Sequence, residues 1–116
     1  MAKVEYQLEA ILKDVLSIGR YLLRNKDTEL LVEIGKDVPS VLSGDVEAIR
    51  KRFEGIINKA IEINHGDLVR ISVSFKATEW KQGDVCFVVA LENPKEEFSF
   101  TISQEVVNYL PLVEIN

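Results

Sequence analysis

The sequence predicts an α+β two-layer sandwich, in which two long helices cover one face of a mixed, mostly antiparallel sheet. Three observations predict it. Apolar residues recur at three- and four-residue spacing in two long segments, they alternate with polar residues in several shorter ones, and the order runs strand, helix, strand, helix, then strands. At 116 residues the chain is long enough for one compact domain and its core, so residues 1–116 are read as a single unit.

Residues 4–8 (VEYQL) alternate as a short strand does. From Leu8 through Ile11, Leu12, Val15, Leu16, Ile18, Leu22 and Leu23 the period becomes helical, which predicts an amphipathic helix ending near Asn25. ELLVEI (29–34) is a second strand. Residues 35–43 read as a loop, because Pro39 blocks a helix and holds Val38 extended. Asp45 is placed to cap a second helix whose stripe of Val46, Ile49, Phe53, Ile56, Ile57, Ala60 and Ile61 ends near Asn64. Val69, Ile71, Val73 and Phe75 then alternate with polar residues, and KATEWKQGD (76–84) reads as a polar turn. VCFVVAL is apolar on both faces, the pattern of a central strand covered on both sides, or covered on one and paired in an oligomer. Phe98, Phe100 and Ile102 mark a further hairpin arm, and Pro111 confines any strand in the tail VVNYLPLVEI to an edge or to its own ends.

Composition narrows the partners. A net charge of −5 repels phosphate backbones and argues against nucleic acid, while Arg50, Lys51 and Arg52 point in different directions around a helix. The single cysteine, Cys86, forms no internal disulfide and reads as a small core residue. There is no apolar span approaching the roughly 20 residues that cross a bilayer and no charged-then-apolar leader, so the expectation is a cytoplasmic chain with no membrane partner.

The loop DVPSVLSGD, the helix start GDVEAIRKR, the run NKAIEINHGDLVRISVS and the strand VCFVVALEN together resemble the ATP-binding domain of sensor histidine kinases, of the GHKL superfamily, over residues 4–93. The resemblance implies a nucleotide site with three parts. In that family the second helix carries an Asn-rich box whose last Asn ligates magnesium. Here Gly55 stands at the first Asn and Lys59 at the metal-binding one, and Asn58 comes one position early, about 100° around the helix. An ammonium has no lone pair for a cation, although it pairs with a phosphate directly. The family's Asp-x-Gly-x-Gly, which holds the adenine amino group, is replaced by Leu91-Glu92-Asn93-Pro94-Lys95, so Leu91 stands where a carboxylate would accept that bond. EEFSFTI resembles the family's closing strand and follows after a short turn, implying that the ATP lid and third helix are missing.

Other chemistry is sparse. His65 falls in the turn NHGD rather than on a helix, and no His/Cys cluster suits a metal. Trp80, in the polar turn, either anchors a partner or folds over the sheet edge. The tail, with Tyr109 and Leu110, covers sheet left bare by the missing lid, or leaves that role to a second copy of the chain.

The expectation is a non-catalytic, histidine kinase-like signalling or scaffold module that needs no cofactor and acts through protein contacts, with a signalling protein or a second copy as partner. The alternative is residual binding of ATP or ADP, without magnesium, in a two-component sensor kinase domain.

Overall fold

The computed structural model describes residues 3–112, and calls for eight elements: β1 (Val4–Gln7), α1 (Leu8–Leu22), β2 (Glu29–Ile34), β3 (Pro39–Gly44), α2 (Val46–Ile63), β4 (Leu68–Glu79), β5 (Gln82–Glu92) and β6 (Lys95–Pro111). The strands form one six-stranded sheet in the order β1-β3-β6-β5-β4-β2. Only β2 and β4 run parallel, joined by a long crossover that includes α2; every other neighbour is antiparallel. Both helices pack on one face, as the sequence predicts.

The core lies between them. Ile11, Leu12, Val15 and Leu16 of α1 and Ile49, Phe53, Ile57 and Ala60 of α2 are buried against the alternate residues Val69, Ile71 and Val73 of β4 and Val85, Phe87 and Val89 of β5. At its centre the ring of Phe53 meets Phe87 at 4.9 Å, and Phe87 stacks on Phe100 at 4.8 Å. The Asp45 carboxylate accepts the Ala48 N–H at 3.1 Å, the N-cap expected from sequence.

At the β1-β3-β6 end, Gln104 is the one buried polar side chain among the described residues. The Tyr6 hydroxyl donates to its Oε1 at 2.8 Å, and its own Nε2 donates to the Ser103 carbonyl at 2.6 Å. Burial pushes the Tyr6 phenol well above its ordinary pKa. Gly44 makes room for this pair: a Cβ there would overlap the Gln104 amide.

Four expectations need correction. Residues 39–44 are a strand, β3, rather than loop. Pro39 is tolerated as its first residue, where the sheet is ending and a missing N–H costs little. The polar segment 76–84 is mostly sheet: β4 continues to Glu79 and β5 begins at Gln82, leaving Trp80 and Lys81 as the turn. Polar side chains there ride on a backbone ladder that asks nothing of them. Cys86 is half-buried on the sheet face opposite the helices, because the odd-numbered residues of β5 face the core. Finally, α1 stops at Leu22, and Leu23 follows as a half-turn rather than further helix.

The tail up to Pro111 is the second half of β6. It leaves β5 after Glu105 and pairs with β3 through to Pro39↔Pro111, with two register shifts. Residues 113–116 of that tail lie outside the described residues.

Candidate functional site

Of the four positions singled out on the helix and the central strand, the three on α2 share one face and Leu91 belongs to the core. Gly55, Asn58 and Lys59 lie on the exposed face of α2, and a Cβ added at Gly55 would meet nothing within 4 Å. Leu91 is 4% exposed and belongs to the core. Its side chain belongs to the buried row of β5 that faces the helices, whereas Asn58 and Lys59 are exposed and Gly55 carries no side chain.

A cleft of about 620 Å³ does include Leu91, together with Leu68, Arg70, Ala90, Glu92, Lys95, Glu96 and Glu97. It opens on the other side of the sheet. Arg70, Ala90 and Glu97 are paired across β4, β5 and β6, as are Glu92 and Lys95, and these residues alternate with the buried Val69, Val89 and Leu91. Leu91 can therefore offer this cleft little more than backbone. No residue of α2 lines it. Arg70 is engaged with Glu33 at 3.0 Å, so the cleft has an apolar floor and a rim of mixed sign.

β5 and β6 are joined by two residues, Asn93 and Pro94, with Glu92 paired to Lys95. Nothing intervenes there that could fold over α2. His65 is exposed in its turn, and its N–H donates to the Asn93 carbonyl at 2.7 Å, which ties the end of α2 to the β5-β6 turn. Among the described residues, no group of three or more His, Cys, Asp or Glu is arranged to hold a metal ion, and no helix is long and apolar enough to cross a membrane.

The proposed contact residues fare differently. Trp80 is 79% exposed at the β4-β5 turn, and its ring lies 6.0 Å from that of Tyr109, itself 52% exposed. Lys81 takes a positive φ of 56° to close the turn. The turn is then fastened to β6: the Lys81 N–H donates to the Tyr109 hydroxyl at 2.9 Å, and the Val106 N–H donates to the Lys81 carbonyl at 2.8 Å. Leu110 is 67% exposed on the same stretch of β6. Sequence reading singled out these residues separately; that Trp80 and Tyr109 pair follows from the long register of β6, which no local signal announces.

No protein-family model and no curated protein matches the sequence. Solved structures do match. The chain superposes on the nucleotide-free catalytic domain of histidine kinase ThkA with a TM-score of 0.56 at 16% identity, over 78% of this chain and 60% of that one. Acinetobacter baumannii histidine kinase AdeS gives 0.55 at 18% identity, over 76% and 42%. ThkA in complex with the response regulator TrrA gives 0.58 at 13%, over 76% and 25%. The chain thus spans 60% or less of the length of these proteins, and at these identities what it shares with them is the fold: two helices on a mixed sheet, in the arrangement of a sensor histidine kinase catalytic domain.

Proposed function

We propose that this chain is a non-catalytic module with a histidine kinase-like fold, working through protein contacts and independently of ATP and magnesium. The observation that carries the proposal is the separation of Leu91, sealed in the core, from Lys59 and Asn58 on the solvent face of α2. A nucleotide held at both ends needs polar groups converging on one cavity, and the cleft that includes Leu91 reaches neither Asn58 nor Lys59. The two-residue β5-β6 turn adds to this, since it leaves no segment between those strands to close over phosphates.

The contact surface is the pair Trp80 and Tyr109, with Leu110 beside it on β6. An exposed tryptophan on a turn held by two hydrogen bonds loses little freedom on binding, which is the property of an interface anchor. That ThkA is known in complex with a response regulator supports a signalling protein as the class of partner.

Calorimetric titration with ATP and with ADP, each with and without magnesium, tests the reading. No saturable heat is expected in any of the four. Micromolar binding that disappears in Lys59→Ala would instead establish the residual-nucleotide alternative.

A further inference from the structure

The flank of α2 turned away from α1 carries a regular pattern. Arg52, Ile56, Lys59 and Ile63 follow one another at spacings of four, three and four, so they form a single row along the helix, cation and aliphatic in alternation. Arg52 and Lys59 are exposed, whereas Ile56 and Ile63 are half-buried and rest against the core. The row stands over β6: the Arg52 guanidinium lies 4.5 Å above the Phe100 ring, and half-buried Phe98 continues the apolar surface along that strand. The result is a corner with an apolar floor and cations along its upper edge.

Two features say what fits there. Four ion pairs are made among the described residues, by Lys3, Lys13, Arg50 and Arg70 with carboxylates, and neither Arg52 nor Lys59 takes part in one. In a chain of net charge −5, with carboxylates in excess, neither of these cations has a carboxylate partner among the described residues. Between Arg52 and Lys59, three residues from one and four from the other, Gly55 leaves open space where any other residue would project a side chain, so another chain has room to approach the helix backbone.

We infer that this corner is a docking site for a segment of a partner protein that combines carboxylates with aliphatic side chains. The carboxylates pair with Arg52 and Lys59, which stand about 10 Å apart along the helix at 1.5 Å per residue. Aliphatic groups cover Ile56, Ile63 and Phe98. Charge directs the encounter and apolar contact holds it, as at other helix-in-groove interfaces. This surface is separate from Trp80, and the inference stands without the role proposed for that residue.

The probe is a fluorescein-labelled synthetic peptide of sixteen residues, with leucine at three- and four-residue spacing and glutamate or alanine elsewhere, followed by fluorescence anisotropy. Saturable binding is expected, weakened at least tenfold in Arg52→Glu/Lys59→Glu, at least tenfold when the peptide's glutamates become glutamine or its leucines become serine, and several-fold by raising salt from 50 to 300 mM. Trp80→Ala is expected to bind as the wild type does. Both changed residues are exposed, and a thermal melt confirms that the double variant is folded. Absence of binding to the glutamate-leucine peptide overturns the inference. So does equal binding of polyglutamate, which would mark an unspecific polyanion surface, and so does displacement by equimolar inorganic triphosphate, which would mark a phosphate site.

Discussion

The two faces of α2 are built under different constraints. On one, Ile49, Phe53, Ile57, Ala60 and Ile61 are buried and locked against the sheet and α1. On the other, Lys51, Arg52, Gly55, Asn58 and Lys59 are exposed, and the fold asks little of them. The buried face is dictated by close packing, where even a methylene is felt. The exposed face is free of that constraint, and here it carries cations, with no carboxylate partner among the described residues for Arg52 or Lys59, around a glycine. Substitutions that test stability and substitutions that test the proposed docking role therefore fall on separate faces of one helix.

The substitution expected to have the largest effect is Phe53→Ala, on the buried face. It removes a ring in contact with both Phe87 and Phe100 and should cost about 3–5 kcal/mol in denaturant unfolding. A loss under 1 kcal/mol would mean the core is not organised around this ring.

Leu91→Asp is the second. It restores the residue type that the kinase resemblance calls for, but places a carboxylate in the core, at a cost of about 3 kcal/mol or more. The variant should melt earlier and gain no affinity for ATP. A gain in nucleotide binding without loss of stability would erase the distinction between the buried and exposed positions.

Two glycines then offer matched tests. Gly44→Ala collides with Gln104 and disturbs its bond to Tyr6, for an expected loss of about 1–3 kcal/mol. Gly55→Ala meets nothing and should stabilise the helix by about 0.5–1 kcal/mol. Opposite signs in the melting temperature would confirm the contrast between a packed and an open surface. The smallest change belongs to Lys59→Ala, expected to lie within about 0.5 kcal/mol of wild type.

Much of this architecture was legible beforehand. The helical stripes and the Asp45 cap appear directly in the spacing of apolar residues, and the cap forms as expected. β3 was not legible, because Pro39 and the small polar residues around it are the chemistry of a loop, and its strand character comes from partners more than 60 residues away on β6. Cys86 was misplaced for a related reason: VCFVVAL is apolar throughout, so nothing in the run says which residues face the helices. The candidate positions on α2 could be placed on its exposed side from periodicity. The burial of Leu91, the side on which the cleft opens, and the meeting of Trp80 with Tyr109 all depend on strand register, which is settled by the whole sheet.

The central claim is that Leu91 and the solvent flank of α2 do not form one nucleotide site. Backbone amide NMR during titration with magnesium-ATP tests it most directly, since each position reports separately. The account predicts no saturable shift shared by Asn58, Lys59 and Leu91 up to millimolar nucleotide; shifts at all three, following one micromolar isotherm, would contradict it.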